Sequence, residues 1–226
     1  MDARPERVPR KPTEDRRREI ADAALRVIAA RGVGGFTALA IARELGLSDA
    51  ALFRHFPSKE AIVAAAIDRV EELLFDGFPP RDADPVERLG AFFQRRVLVI
   101  RDNPGISSLV AGDELAKAGS AAGVRRVAGF RRRSTGFVRE CLSEAHGAGL
   151  LAPELGVEEA AVVLLGALLA LGHGRLADGG TPVAALAPRV WSALETFLRG
   201  RRARGVRAPR RGPRQPGRSR PRGEKP

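Results

Sequence analysis

The 226-residue sequence contains little cysteine, little histidine and no long apolar run. Its single cysteine, Cys141, excludes a disulfide within one chain and is typical of a reducing compartment. The N-terminus lacks the apolar stretch of a signal peptide, and the longest apolar run, residues 160–172, has only 13 residues, too few to cross a bilayer. We therefore expect a cytoplasmic protein without a membrane partner.

The scarcity of histidine argues against a metal centre. His55, His146 and His173 lie on three separate predicted segments. None of them belongs to an HxxxH, HExxH or mixed cysteine and histidine pattern, the spacings in which metal ligands usually occur. We expect no metal and no cofactor.

Candidate catalytic groups are also few and poorly arranged. Asp113 and Glu114 are neighbours on a predicted helix, where consecutive side chains point about 100° apart and cannot work as an acid and base pair. Cys141 falls on an apolar helical stripe, where a thiol is more often a core residue than a nucleophile. Gly119 and Gly123 do not form a phosphate-binding loop. An enzyme is the least favoured function class.

Positive charge is concentrated at the two ends of the chain. Residues 200–226 carry 11 Lys or Arg against one Glu, and residues 1–60 carry 12 against nine acids, whereas residues 61–199 carry 16 against 17. We expect residues 1–13 to be a flexible basic arm and residues 200–226 to be a disordered basic tail. This distribution favours a nucleic-acid partner over an acidic small substrate.

The stretch 36–59, FTALAIARELGLSDAALFRHFPSK, has the local signals of a helix-turn-helix. Thr37 and Ser48 are suited to cap two short helices, because each side-chain oxygen can accept a bond from an unpaired backbone N–H. Gly46 between them suits the left-handed residue that ends a helix. Pro57 stops the second helix, and Ser58 caps the next one. The spacing predicts two short helices joined by a tight turn.

Helical periodicity continues through the rest of the chain, with no alternating strand pattern. The pattern predicts an all-α fold of about nine helices in two parts. The first part is a helix-turn-helix domain at 14–60 with a linking helix at 58–76, and the second is a helical bundle at 84–199. Predicted helices of the bundle lie at 84–102, 106–116, about 124–145, 157–176 and 182–199.

The segment LFRHFPSKEA, which follows IARELGLS, resembles the DNA-binding domain of the tetracycline-repressor (TetR) family of bacterial transcription regulators. The resemblance covers residues 14–75 well and the remainder in outline. It implies an N-terminal three-helix DNA-binding domain, a C-terminal ligand-binding and dimerisation bundle, and a double-stranded DNA operator as partner. The implied function is a dimeric repressor that a small molecule releases from its operator.

The same resemblance implies which side chains meet DNA. They are the residues at the family's recognition and backbone-contact positions, namely Thr37, Ser48, Asp49, Ala50, Ala51, Phe53, Arg54, His55 and Lys59. Of these, Arg54 is the best donor to a guanine, and a phosphate contact is the alternative. Asp49 offers acceptors that a cytosine amine could use. Ala50 and Ala51 offer only methyl groups, which suit a thymine methyl.

Three members of this set match positions that hold the sugar-phosphate backbone in the family, namely Thr37, His55 and Lys59. Phe53 departs from the family pattern, in which a tyrosine is usual. The departure removes one hydroxyl contact to phosphate, so we expect weak binding by the helix-turn-helix alone.

The last two predicted helices have the composition of a dimer interface. Gly166, Ala167, Ala170 and Gly174 are small residues at steps of three and four, which allow another helix to approach closely. Members of the TetR family dimerise through their last two helices, so the resemblance implies a homodimer here. Packing of these helices within one chain is the alternative.

The bundle is rich in apolar side chains at candidate interior positions, so a ligand pocket there would be apolar. The candidate pocket residues are Phe92, Phe93, Arg96, Val97, Leu109, Phe130, Phe137, Leu168 and His173. Arg96 or His173 could hold a carboxylate or a hydroxyl of a small, mostly apolar effector. The alternative is that these residues only fill the core.

A second function stays open, that of an architectural or nucleoid-associated DNA-binding protein that needs no ligand. Residues 103–107, NPGIS, followed by GDEL at 112–115, resemble the C-terminal domain of TetR-like nucleoid-occlusion factors. The basic tail also suits contact with bulk DNA. One operator beside a neighbouring gene would favour the regulator, and dozens of scattered genomic sites would favour the architectural protein.

Overall fold

The computed structural model of the protein describes residues 13–32, 35–111, 121–173 and 181–200. Within these ranges the chain is all helix, as predicted, and contains no strand. The helices are α1 Thr13–Arg31, α2 Ala38–Leu45, α3 Asp49–Phe53, α4 Lys59–Phe75, α5 Pro85–Asp102, α6 Pro104–Ala111, α7 Ala121–Gly147, α8 Val157–Gly172 and α9 Val183–Arg199. No described helix combines the length and apolar character that crossing a membrane requires.

Helices α1 to α4, residues 13–75, are called the head. Phe36, Ile41, Leu52, Phe56 and Ile62 are all essentially inaccessible to solvent and form its centre. Phe36 precedes the cap of α2 and Ile41 follows that cap by four residues, which is the spacing of a hydrophobic staple. The head is therefore held together by large side chains that flank the helix starts, and burial of each stabilises it by roughly 1.5–3 kcal/mol.

Helices α5 to α9, residues 85–200, are called the body. Asp84 caps α5, because its Oδ1 accepts the Val86 N–H at 2.7 Å. α5 runs through the centre of the body and contacts α6, α7, α8 and α9. Gly90 lets α9 approach, since a Cβ there would lie 2.6 Å from the Trp191 ring. The body is consequently a bundle packed around one helix.

Two predicted boundaries need correction. Thr13, assigned to the flexible arm, is the first residue of α1. α6 begins at Pro104, two residues before its predicted start, because proline lacks the N–H that the first helical turn leaves unpaired. The predictions for residues 1–12, Asp113 and Glu114, Gly174 and the tail 201–226 lie outside the described residues.

Candidate nucleic-acid interface and adjoining cavity

Side-chain caps set the directions of α2 and α3. The Thr37 hydroxyl accepts the Ala40 N–H at 3.1 Å, and the Ser48 hydroxyl accepts the Ala51 N–H at 3.2 Å. Gly46 between the helices has φ 63°, a left-handed conformation that glycine adopts without strain. These local bonds produce the predicted helix-turn-helix and fix the orientation of the five-residue α3.

No residue of the predicted DNA-contact set is buried. The exposed members are Thr37, Ser48, Asp49, Ala50, Phe53, Arg54 and Lys59. Ala51 and His55 are partly exposed. The capping hydroxyls of Thr37 and Ser48 accept from the backbone, which leaves each O–H able to donate to a phosphate. The set therefore forms a surface at the start and end of α3 that a ligand can reach.

Two large apolar side chains lie on this surface. Phe53 is 44% exposed at the end of α3, and Leu39 is 46% exposed in the first turn of α2. Exposed groups of this size suit contact with thymine methyls or deoxyribose rather than with water. Leu39 was not predicted, because an apolar residue in a short helix is ordinarily assigned to the core.

Aromatic rings hold two cations beside the turn between α3 and α4. The Lys59 ammonium lies 5.4 Å from the centroid of the Phe36 ring, and the Arg17 guanidinium lies 4.6 Å from that of Phe56. Cation–π contacts of this kind contribute about 0.5–1 kcal/mol at exposed sites. They orient both positive charges at the surface of the head.

The start of α4 is fixed by Ser58, whose hydroxyl accepts the Ala61 N–H at 3.2 Å. Glu60 lies in the first helical turn. Hydrogen bonds from its own backbone N–H and from the Ser58 side chain, together with the Lys59 charge, lower the pKa of the Glu60 carboxyl. Its negative charge is favoured at a helix N-terminus, so this acid stabilises the start of α4.

A cavity of about 350 Å³ lies inside the body, and the ends of α4 and α6 contribute to its wall. Five of the nine predicted pocket residues line it, namely Phe92, Arg96, Phe130, Leu168 and His173. Phe93, Val97, Leu109 and Phe137 are instead buried among other core side chains. The apolar lining residues that were not predicted are Leu74, Ile100, Ile106, Val110, Leu165 and Leu169.

His173 and Arg96 occupy different environments at this cavity. The exposed His173 caps α8, and its Nδ1 lies 2.6 Å from the Leu169 carbonyl oxygen. Arg96 is only 6% exposed, with its guanidinium 5.1 Å from the Phe75 ring centroid and 5.0 Å from that of Phe92. Of the two, Arg96 is the residue buried in the wall.

The cavity wall touches the head directly. Ile106, Ser107 and Val110 of α6 line the cavity, and α6 packs against α1. From α7, whose Phe130 and Ser134 also line the cavity, Arg126 forms ion pairs with Asp68 and Glu71 of α4. Two separate contacts therefore connect the helices that line the cavity to α1 and α4 of the head.

Residues 20–66 match the family model described as bacterial regulatory proteins, tetR family. The match contains α2, α3 and every residue of the exposed surface described above. Beyond it, the structural similarity to a solved transcriptional regulator covers 82% of this chain. The chain belongs to the TetR family of DNA-binding regulators.

Two curated relatives of this TetR-family chain are nucleoid occlusion factors named SlmA. The protein from Marinomonas sp. (strain MWYL1) is 29% identical over 154 residues, which span 67% of this chain and 78% of that protein. The protein from Vibrio vulnificus (strain YJ016) is 31% identical over 105 residues, 45% of this chain and 54% of that protein. The chain thus spans only about half the length of the Vibrio relative.

Two solved structures share the TetR fold over most of the chain. The ketosteroid transcriptional regulator KstR2 of Mycobacterium tuberculosis has a TM-score of 0.66 at 20% identity and covers 82% of this chain and 95% of its own. AibR in complex with isovaleryl coenzyme A and operator DNA has a TM-score of 0.63 at 22% identity, with 81% and 98% covered. The similarity extends through both head and body.

Among the described residues of this TetR-family protein, no group of three or more His, Cys, Asp or Glu side chains could hold a metal ion. Cys141 is buried, and desolvation raises the pKa of its thiol to about 11. A thiol with such a pKa is protonated at neutral pH and is a poor nucleophile.

Proposed function

We propose that the protein is a dimeric transcriptional repressor that leaves its operator when a small, mostly apolar molecule binds in the body cavity. The observation that carries this proposal is the double role of α6, which lines the cavity with Ile106 and Val110 and packs on α1 of the head. A ligand that reshapes the cavity moves the element on which the head rests. Such a ligand has different affinities for the two conformations of the protein that differ in the position of the head. Release of the operator requires this difference.

The DNA-binding part of the proposal rests on the exposed surface of α2 and α3. Arg54 is assigned to a base edge or a phosphate, and Thr37, His55 and Lys59 are assigned to the sugar-phosphate backbone. Because α3 has only five residues, few bases can be read by one head. Two heads, one from each protomer, are needed for a specific site, with their recognition helices about one DNA turn apart.

The dimer is proposed to form through α8 and α9. Val162 is 69% exposed and Leu169 is 51% exposed, and the Gly166 that lies between them in sequence has open space around it. Phe197 of α9 is also exposed. These residues make an apolar surface with a small residue at its centre, so a second copy could approach closely.

Ligand binding by the body is supported by the AibR structure, because a protein of this fold is found in complex with isovaleryl coenzyme A and operator DNA. The cavity of this protein holds about 350 Å³ and its wall is mainly apolar, which suits a small hydrophobic molecule. No enzymatic activity is proposed, and the protein is assigned to the cytoplasm, on the nucleoid when DNA-bound.

A genome-wide map of bound DNA, followed by footprinting of the sites found, tests the proposal. One or a few palindromic operators near regulated genes are expected, with light scattering showing a dimer in solution. Apolar compounds that fit the cavity are expected to raise the melting temperature because they bind the folded state, and to release the operator because they bind the DNA-free form more tightly. Release by polar sugars or nucleotides, with apolar compounds inert, would contradict it.

A ligand-independent nucleoid-associated protein is the second candidate. The observation that favours it is the similarity to the Marinomonas nucleoid occlusion factor, which extends over 154 residues and so beyond the helix-turn-helix. Under this alternative the same map would show dozens of scattered sites, and no apolar compound would change the affinity for DNA.

A further inference from the structure

Arg96 is the one charged side chain buried in the part of the chain that the structure describes. Its Nη2 atom has no hydrogen-bond partner there, and no described acid forms a salt bridge with it. Burial, followed by the nearby Arg95 and Arg133, lowers the pKa of its guanidinium to about 10. At neutral pH Arg96 is therefore a buried, unpaired cation in the cavity wall.

A second arginine adds to the positive electrostatic potential around Arg96. Its guanidinium stacks near Phe75 and Phe92, and the Arg133 guanidinium lies 4.1 Å from the centroid of the same Phe75 ring. The aromatic faces stabilise the cations in part, but they supply no acceptor for the N–H groups. Removing an arginine from water without a counterion is costly, so the free energy is lowered when an anion enters.

The remainder of the cavity restricts what this anion can be. Ile100, Ile106, Phe130, Leu165 and Leu168 contribute apolar surface, which requires a hydrophobic body. One buried guanidinium matches one carboxylate, whose two oxygens accept parallel bonds from the planar fork. A cationic ligand would be repelled by Arg96, and a neutral one would leave its charge unpaired.

We propose that the cavity binds an amphipathic monocarboxylate, such as a medium-chain fatty acid, with its carboxylate on Arg96 and its apolar tail against α6, α7 and α8. The proposal rests on the proposed function, because it names the chemical class of the ligand that releases the operator. Arg96 lies beside Phe75, the last residue of α4, so the carboxylate is bound next to the last helix of the head.

The test uses four probes with the same ten-carbon tail: decanoate, decan-1-ol, decylamine and decanoyl coenzyme A. Calorimetric titration and thermal denaturation of the full chain are carried out for the wild type, Arg96→Met and Arg95→Met. Arg95 is the matched control, because it neighbours Arg96 on α5 but is exposed and pairs with Asp76 at 3.1 Å. Methionine keeps an unbranched apolar side chain at either position.

Decanoate is expected to bind the wild type and to raise its melting temperature more than the other three probes. Arg96→Met is expected to weaken decanoate binding roughly tenfold to a hundredfold, the value of a charge-assisted bond, while decan-1-ol binding changes less than about threefold. Arg95→Met is expected to bind decanoate like the wild type. If Arg96→Met does not fold, Arg96→Lys is expected to fold and to weaken decanoate binding, since lysine keeps the charge but lacks the planar fork.

Equal decanoate affinity in the wild type and in the folded Arg96 variants would overturn this inference. Tighter binding of decan-1-ol, decylamine or decanoyl coenzyme A than of decanoate would overturn it as well. The proposed function is measured separately by operator release. Decanoate that binds through Arg96 and leaves the operator bound would contradict ligand release alone. Operator release by apolar compounds in Arg96→Met as in the wild type would contradict the carboxylate alone.

Discussion

The backbone of Gly105 lies against the carbonyl of Leu25, so close that a Cβ on Gly105 would come 2.2 Å from the Leu25 oxygen. Gly105 is the second residue of α6, and Leu25 lies on α1 of the head. No side chain separates the two helices at this point. A displacement of α6 is therefore passed to α1 without the adjustment that a flexible side chain would allow.

Gly105→Ala is expected to push α6 away from α1 and to destabilise the protein by about 1–3 kcal/mol, the usual cost of overpacking. Thermal denaturation measures this loss, and a mobility shift measures the accompanying change in operator affinity. Gly136→Ala on α7 is the control, because a Cβ there has no neighbour within 4 Å. The control should be as stable as the wild type or slightly more stable. Equal stability of both variants would show that the α1–α6 contact is not tight.

His55→Ala and Lys59→Ala are each expected to weaken DNA binding on every sequence and to flatten the slope of log affinity against log salt, by about one for the lysine. The physical reason is that a variant with one phosphate contact fewer displaces fewer counterions from the DNA when it binds. Arg81→Ala removes an exposed charge from the connection between α4 and α5 and should leave binding unchanged. If both variants fold and bind DNA with the wild-type salt slope, the assignment of His55 and Lys59 to phosphate contacts is wrong.

Phe53→Tyr is expected to strengthen DNA binding by about 0.5–1.5 kcal/mol, the net value of one hydrogen bond. The added hydroxyl extends a ring that is already 44% exposed on α3, so it does not enter the core. A mobility-shift titration at fixed salt measures the gain. Phe53→Leu removes the ring without adding a donor and serves as the comparison. An affinity for Phe53→Tyr no higher than that of the wild type would mean that no phosphate lies within reach.

Arg126→Gln is expected to reduce the effect of the ligand on DNA affinity by about twofold to fivefold, the scale of exposed ion pairs. Arg126 joins α7 to α4 through Asp68 and through Glu71 at 2.6 Å. Ligand affinity measured without DNA should change little. Arg139→Gln breaks a pair with Glu158 that lies wholly within the body, and its ligand response should match the wild type. The same response in both variants would exclude Arg126 from the coupling.

The helix-turn-helix could be predicted from the sequence because its determinants are local. Thr37, Ser48 and Ser58 each cap the helix that follows them, and the bonded N–H belongs to a residue three positions along the chain. Gly46 adopts the left-handed conformation expected of it. Capping bonds of this kind act within one helical turn, so the local amino-acid sequence determines where each helix begins and ends.

The cavity was only partly predictable because its walls are set by packing between helices distant in sequence. Phe92 and Phe93 are adjacent and equally apolar, yet Phe92 lines the cavity and Phe93 packs against Trp191 with ring centroids 5.8 Å apart. Helical periodicity predicts that both side chains are buried, but it does not distinguish a residue that lines a cavity from one that packs against another side chain. The lack of a counterion at Arg96 likewise depends on every element that surrounds it.

Because Cys141 is buried, the natural chain can be labelled at an introduced cysteine without first replacing its own. With a thiol pKa of about 11, only about one molecule in ten thousand carries a thiolate at neutral pH, and the sulfur is also inaccessible. An added cysteine such as Arg43→Cys, at an exposed position on α2, would thus be the only thiol that reacts quickly with a maleimide. In the proposed dimer, spin or fluorescent labels at this position in both protomers would give the separation of the two heads directly, with and without the proposed ligand.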